Sequence, residues 1–352
     1  MSQITTVGVD LAKDVIVVCA GDRTGRPVYT RELSFHGFAQ WASNLPQATF
    51  GLEACSSAHY WARWLTERGH TAKLMAAEHV GPFRMSRGAK NDRNDAQAIL
   101  AAMVQPTMRF VAVKTVEAQA MLALHTVRQG WKTERTALIN RTRGLLSEFG
   151  IWLGHGTGHL LRALPELTDS ERLPHRVRLV LRQISEQLAL LDQQVRATDI
   201  EIRKHAKYDN TVKRVQAISG IGPVTASALV ATVANANDFR NGRQLAAWLG
   251  LVPRQWSSGG KERLGRITKR GDSYLRGLLT QGARATIHAA QRKPPEKRTR
   301  LQNWIVETHD RVGYGKTQVA VANKHARMLW AILAHGEAYD PNAWQRHPMA
   351  SA

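Results

Sequence analysis

Four carboxylates stand out by type and spacing. Asp10 closes the apolar run Thr6-Val7-Gly8-Val9-Asp10, and Glu53 closes Phe50-Gly51-Leu52-Glu53. Asp92 and Asp95 follow in Lys90-Asn91-Asp92-Arg93-Asn94-Asp95. Acids at the ends of neighbouring strands converge on one edge of a sheet, and a spacing of three puts two side chains on one face of a helix. Four carboxylates gathered at one point repel one another unless cations neutralise them. Hard oxygen donors suit Mg²⁺ or Mn²⁺, and a pair of such ions stabilises the attacking and leaving oxygens of a phosphoryl transfer. Taken singly, each acid has a simpler reading: Asp10 as a strand end, Asp92 or Asp95 as a helix cap, Glu53 as a surface group. The ordered set in a strongly basic chain favours the metal-binding reading.

A second constellation lies far along the chain. Leu249-Gly250-Leu251-Val252-Pro253-Arg254-Gln255-Trp256-Ser257-Ser258-Gly259-Gly260-Lys261 is followed by Arg263, Arg266, Lys269, Arg270 and Arg276. A serine among cations can attack a phosphodiester, because the positive charge stabilises the developing negative charge. Read from the residues alone, the serine–glycine pair is a turn. Trp256, beside Arg254 and Ser258, is placed to stack on a base or sugar. Just upstream, Ile218-Ser219-Gly220-Ile221-Gly222-Pro223-Val224-Thr225-Ala226 reads as the turn of a helix-hairpin-helix. Backbone N–H groups around Gly220 and Gly222, with Thr225 at the start of the next helix, would approach a phosphate there. Such elements bind DNA without reading its sequence.

The elements that must position these groups follow from periodicity. Short β-rich runs are predicted at Ile4–Val9, Val15–Ala20, Val28–Leu33, Thr49–Glu53 and Thr71–Met75, with helices at Phe38–Leu45, His59–Glu67 and Asp95–Val104. Val116–Phe149 is helical throughout, a glycine loop spans Gly154–His159, and His175–Ala206 is a long amphipathic helix, either a coiled coil or a bundle helix. From Asn210 onward the pattern is helical with glycine breaks. This gives an α/β domain over residues 1–110, a long-helix linker over 111–209 and a mostly helical domain over 210–340. Trp61, Trp64, Trp248 and Trp330 fall at core positions, and Cys19 and Cys55 read as buried and inert. His155 and His159 read as solvated loop residues rather than metal ligands.

Composition bounds the function. The 352 residues carry a formal charge of +21 with 43% hydrophobic content, which is globular rather than disordered. The charge is uneven. Residues 1–100 hold 11 basic and 9 acidic side chains, whereas residues 254–300 hold 13 and 3. A surface of that density concentrates phosphate backbones and makes binding salt-dependent. No apolar run is long enough to span a bilayer, no secretory pattern opens the chain, and two cysteines cannot build a disulfide framework. A soluble, cytoplasmic protein is expected.

Gly8-Val9-Asp10-Leu11-Ala12-Lys13, Gly51-Leu52-Glu53-Ala54 and Lys90-Asn91-Asp92-Arg93-Asn94-Asp95-Ala96 resemble the DEDD transposases of the bacterial insertion-sequence one-ten family. The Ser-Ser-Gly-Gly-Lys form and the Lys269-Arg270-Gly271-Asp272 that follows look closest to its one-one-one-one subgroup. The resemblance covers residues 5 to about 335 in two domains in the same order. It implies a ribonuclease-H-like, Holliday-junction-resolvase-like N-terminal domain in which Asp10, Glu53, Asp92 and Asp95 are the catalytic tetrad. It also implies a C-terminal transposase domain with a helix-hairpin-helix and a nucleophilic serine at Ser258, with Ser257 as its neighbour. Ser258 would form a covalent phosphoserine–DNA intermediate, with the tetrad in the same or another subunit. Mg²⁺ or Mn²⁺ would be the cofactor. The implied partners are insertion-sequence and target DNA, a noncoding bridge RNA and further copies of the chain, from dimer to tetramer. The expected place is the bacterial cytoplasm, at the nucleoid during activity. Arg128, Lys132, Arg135, Arg141 and Arg143 are the basic helix positions that would suit RNA. Two alternatives keep other parts of the pattern: a metal-dependent junction nuclease using only the tetrad, and a non-catalytic nucleic-acid scaffold.

Overall fold

The computed structural model describes residues 4–84, 91–256 and 260–342. The chain divides into two compact units, Met1–Thr115 and Val116–Ala352.

The first unit is a mixed sheet with helices on both faces. In chain order it holds β1 (Thr6–Leu11), β2 (Ile16–Gly21), β3 (Pro27–Leu33), α1 (Phe35–Ser43), β4 (Thr49–Glu53), α2 (Ala58–Thr66), β5 (Thr71–Met75), the short α3 (Ala77–Val80), α4 (Asp92–Met103) and β6 (Phe110–Val111). The strand order is β3-β2-β1-β4-β5-β6. β1, β2 and β3 run antiparallel, β4 and β5 continue parallel to β1, and β6 closes antiparallel to β5.

Alternation along the central strands sorts the two cores. Val7, Val9, Ile16, Val18, Phe50 and Leu52 face α1 and α2, where Phe38 and Trp61 meet edge to face at 4.9 Å. Val17, Cys19 and Met75 face Ile99, Leu100 and Met103 of α4. Both faces of β1 and β2 are covered, so these strands read as nearly continuous apolar runs. Each fully buried large side chain contributes about 1.5–3 kcal/mol. Because successive side chains alternate, Gly8 and Asp10, and likewise Gly51 and Glu53, lie on the α4 face.

The second unit is helical apart from one small hairpin. It contains α5 (Val116–Ser147), α6 (Thr157–Asp169), α7 (His175–Tyr208), α8 (Asn210–Gln216), α9 (Pro223–Thr232), α10 (Gly242–Trp248), β7 (Pro253–Gln255), β8 (Leu264–Ile267), α11 (Ser273–Arg292), α12 (Arg300–Val312) and α13 (Tyr314–His335). α5 and α7 pack antiparallel. Arg128 of α5 meets Asp199 of α7 at 2.6 Å and Arg135 meets Asp192, so the partner number falls as the first rises. His125 ties α5 to the C-terminal helices, pairing its Nδ1 with the Tyr274 hydroxyl at 2.9 Å and its Nε2 with Ser227 Oγ at 3.2 Å. No described helix is long and apolar enough to cross a membrane.

Several expectations are corrected. The glycine loop ends at Gly156, and His159 lies exposed in α6, a helix that tolerates Pro165 in its interior. Pro253–Gln255 and Leu264–Ile267 form strands rather than continuing a helical pattern. Cys19 is buried but Cys55 is exposed, because it sits in the turn that leaves β4 rather than in a strand. Trp248 is 39% exposed at the last position of α10. Arg128, Arg135 and Arg143 are taken up internally, the first two by α7 carboxylates and the third by the carbonyls of Leu153, Gly154 and Gly156.

Candidate functional site

The acidic site is built by the approach of α4 to the sheet. Val9 pairs with Leu52 across β1 and β4, so Asp10 and Glu53 come next on adjacent parallel strands. α4 lies directly on Gly8: a Cβ there would stand 2.3 Å from the Ala96 carbonyl oxygen and 2.6 Å from the Leu100 nitrogen. Glycine is required for that approach. Asn91 caps the helix by accepting from the Arg93 N–H at 3.0 Å, which places Asp92 and Asp95 in its first turn. The positive end of the helix dipole favours carboxylates there.

Carboxylate oxygens of Asp10, Asp92 and Asp95 all lie within 4.8 Å of one another. Asp92 is exposed, Asp10 half-buried and Asp95 only 5% exposed. Glu53 joins the group through Arg84, which donates from Nε to Asp95 at 2.6 Å and sets a terminal nitrogen 3.6 Å from Glu53. Burial first, then the charges of Asp95, Asp92 and Glu53, push the Asp10 carboxyl up to about 6, against the opposing pull of Arg84. A half-buried oxygen-only donor set in that electrostatic state fits a divalent cation, which would relieve the crowding. Arg84 is the residue that sequence reasoning missed; its only linear signal is that it is the cation nearest before the Asp92–Asp95 pair among the described residues.

The basic site stands on β7 and β8. Arg254, Trp256, Lys261, Arg263, Arg266, Lys269 and Arg270 are all exposed there. Gln255 pairs with Leu264, and the Trp256 N–H donates to the Arg263 carbonyl at 2.9 Å. The Trp256 ring lies on Gly265, where a Cβ would come within 2.3 Å of it, and stays 60% exposed. Arg254 donates to the Thr268 carbonyl at 3.3 Å, and Lys269 takes the left-handed backbone at φ +55° to turn the chain. Ser257 and Ser258 lie outside the described residues.

Three of the residues expected at a nucleic-acid surface are used within the fold. Arg276 donates to the carbonyls of Leu249 at 3.1 Å and Arg270 at 3.0 Å, bracing the base of the hairpin. Thr225 is buried in α9. Gly220, at φ +84°, is packed so closely on α11 that a Cβ would stand 2.4 Å from the Gly282 carbonyl oxygen. Gly222 differs: it caps α9, with Pro223 in the first turn, and faces open space.

Comparison with known proteins covers the stretches that hold both groups of residues. A family described as "Transposase IS116/IS110/IS902 family" matches residues 212–300, and a "Transposase" family of DEDD type matches residues 7–151. A "Probable family 20 transposase" of Pseudomonas aeruginosa is 42% identical over 96% of this chain and 99% of its own. The "Transposase for insertion sequence element IS1111A" of Coxiella burnetii is 39% identical over 96% of this chain and 92% of its own. That for IS1328 of Yersinia enterocolitica is 33% identical over 96% of this chain and 99% of its own. The chain belongs to the IS110/IS116/IS902 family of transposases, enzymes that cleave and rejoin DNA.

Proposed function

We propose that this transposase moves an insertion sequence by breaking DNA with Ser258 while Asp10, Glu53, Asp92 and Asp95 hold Mg²⁺ or Mn²⁺. The observation that carries the reading is the convergence of Asp10, Asp92 and Asp95 within 4.8 Å at the start of α4. In the strand-breaking step Ser258 Oγ loses its proton and attacks phosphorus. The new O–P bond replaces the bond to a deoxyribose oxygen, which leaves and takes up a proton. The phosphoserine ester conserves the energy of the broken bond, so a sugar hydroxyl can attack it in turn and release Ser258 without ATP. Arg254, Lys261, Arg263 and Arg266 hold the phosphates, and Trp256 stacks beside them. Asp10, Glu53, Asp92 and Asp95 are the residues that would hold a divalent ion, which when bound would supply positive charge for phosphoryl transfer.

The ribonuclease-H-like assignment is supported by the antiparallel β1–β3 ladder running into parallel β4, with acids at the ends of β1 and β4. The helix-hairpin-helix assignment is supported by α8 and α9 about a glycine turn, with backbone open at Gly222. Delegating specificity to a base-pairing bridge RNA accords with a basic surface that lacks a sequence-reading motif. The working form is a homo-oligomer, dimer to tetramer, in the bacterial cytoplasm and at the nucleoid during activity. In it, Ser258 and the tetrad act from the same subunit or from two.

The test is a denaturing gel of a labelled DNA end incubated with protein, Mg²⁺ and element RNA. A covalent adduct is expected with the unaltered protein and with Ser257→Ala, and none with Ser258→Ala. An adduct that survives Ser258→Ala refutes the serine assignment. Cleavage lost in Asp10→Ala but kept in Ser258→Ala turns the reading to a metal-dependent junction nuclease.

A further inference from the structure

One buried polar network joins α5, α7, α9 and α11. His125 of α5 is 1% exposed, and its ring meets α11 on one side and α9 on the other. Nδ1 lies 2.9 Å from the Tyr274 hydroxyl and Nε2 lies 3.2 Å from Ser227 Oγ. Arg128, three residues further along α5, also donates to the Tyr274 hydroxyl. Its Nε binds Asp199 of α7 at 2.6 Å. Hydrogen-bond accounting then places the protons. The Tyr274 oxygen accepts from Arg128, so its own hydrogen points to Nδ1, and Nε2 carries the ring hydrogen and donates to Ser227. Burial favours the same state, pushing the Tyr274 phenol up and the His125 imidazole down to about 4, so both stay neutral.

Tyr274 is the second residue of α11, and the chain just before it is the basic hairpin. Asp272 caps the helix by accepting from the Leu275 N–H at 2.9 Å. Between β8 and that cap, Thr268 donates its N–H to the Val252 carbonyl at 2.9 Å and Lys269 donates to the Gly250 carbonyl at 3.2 Å. Gly250 lies on the Arg270 carbonyl and Gly271 on the Trp248 carbonyl, with no room for a Cβ at either. The base of the hairpin therefore moves with the first turn of α11. Farther along, Gly282 packs on Gly220 and Thr286 donates to the Ser219 carbonyl at 3.1 Å, which seats the middle of α11 on the turn before α9. Gly282 stands about 12 Å from Tyr274 along the helix, at 1.5 Å per residue. Without the Tyr274 hydroxyl that middle anchor remains, as do the buried Leu275 and Leu279. The end that carries the hairpin loses this tie to α5 and α7.

We propose that Tyr274 is a positioning residue for strand breakage, fixing through His125 and Arg128 the place from which the hairpin acts on DNA. The inference rests on the reading that Ser258, between β7 and β8 in the sequence, attacks the phosphodiester. A misplacement of about 1 Å at a reacting group costs up to about 100-fold in rate. Exposed cations that grip a phosphate backbone tolerate the same displacement, so rate and affinity should separate.

The full-length protein is tested with the labelled DNA end, Mg²⁺ and element RNA. DNA affinity is read by gel shift, and the rate of adduct formation is read at saturating DNA. Tyr274→Phe should stay folded, keep its DNA affinity within about twofold and form the adduct about tenfold more slowly, the scale of one buried hydrogen bond. Ile305→Val trims a fully buried side chain of α12 outside the network. It should lower the melting temperature without slowing the adduct. Two substitutions at His125 give a readout that packing alone would not move. His125→Asn keeps an acceptor at the place of Nδ1 and should retain most of the rate, whereas His125→Gln reaches the place of Nε2 and should be as slow as Tyr274→Phe. An unchanged rate in folded Tyr274→Phe overturns the inference, as does a loss of DNA affinity with the saturated rate intact. Equal slowing by Ile305→Val at the same loss of stability does so too. Should Tyr274→Phe fail to fold, equal rates in the two His125 variants overturn it. An adduct that survives Ser258→Ala, or none from the unaltered protein, overturns the serine reading and the inference with it.

Discussion

Replacing Arg84 with methionine isolates what the guanidinium does among the acids. Its Nε donates to Asp95 at 2.6 Å and its terminal nitrogen sits 3.6 Å from Glu53, so it lies where a cation would neutralise both. The Asp95 side chain is 7% exposed and that of Arg84 38%. A charge-assisted hydrogen bond in such a place contributes about 1.5–3 kcal/mol. Because Arg84 keeps part of its charge in water, the lower figures apply, about 1–2 kcal/mol. A divalent ion that takes over Asp95 and Glu53 must displace this interaction. Arg84→Met removes the competitor, and Mn²⁺ should bind about 5- to 30-fold more tightly. Without metal the same variant should melt lower, since the acids lose their only described guanidinium partner, and added Mn²⁺ should recover more stability than in the unaltered protein. Calorimetric titration of Mn²⁺ and paired thermal melts read both effects. A folded variant with unchanged or weaker Mn²⁺ affinity would show that Arg84 shares the site with the metal instead of competing for it.

Gly8→Ala would put a Cβ 2.3 Å from the Ala96 carbonyl, a backbone atom that cannot move without the whole helix. A loss of about 3 kcal/mol is expected, with Mn²⁺ binding impaired; denaturant melts and metal titration check it. The double variant Arg263→Gln/Arg266→Gln should keep its fold, because both residues are exposed, and should flatten the salt dependence of DNA affinity by about 1.8 in log–log slope. Gel shifts across a range of salt measure that slope. His125 and His325 are buried and held neutral, burial pulling each pKa from 6.5 to about 4. Below pH 6.5 the unfolded chain binds protons that the folded chain refuses, so stability falls as pH falls from 6.5 towards 4. At pH 5 each histidine costs about 2 kcal/mol relative to pH 7. His325→Leu should remove its share of that slope. It should also stabilise the protein at pH 7, because neither ring nitrogen of His325 has a hydrogen-bond partner among the described residues. Urea unfolding at pH 5 and pH 7 tests both statements.

What could be read from the sequence, and what could not, divides by the range of the interactions. The strands and the long helices declare themselves through local alternation and 3.6-residue periodicity, and Thr49–Glu53 and Thr71–Met75 fall where expected. α6 does not, because Gly156 before it and Gly158 and Pro165 within it carry loop chemistry, and the packing of Leu160 and Leu164 holds the helix. β7 and β8 are three and four residues long, too short to show an alternation. Arg128 and Arg135 look like a nucleic-acid face because their acidic partners lie 71 and 57 residues away. Arg84 is hidden for the same reason: nothing near it in the chain says that its path after β5 returns to the ends of β1 and β4.

The acids themselves were legible, and the geometry shows why. Gly8-Val9-Asp10 and Gly51-Leu52-Glu53 share one pattern: a glycine, an apolar residue and an acid. In a strand the middle residue turns to one face and the outer two to the other. Val9 and Leu52 accordingly enter the core beneath α1 and α2, while the two glycines face α4. At Gly8 the missing side chain admits the helix backbone, and at Gly51 it makes room for Met103. One step of two residues further on, the helix has reached its first turn, where Asp92 and Asp95 project. The glycine that allows close approach thus also fixes how far the acid stands from the helix end. A larger residue at Gly8 should therefore damage metal binding without touching a ligand.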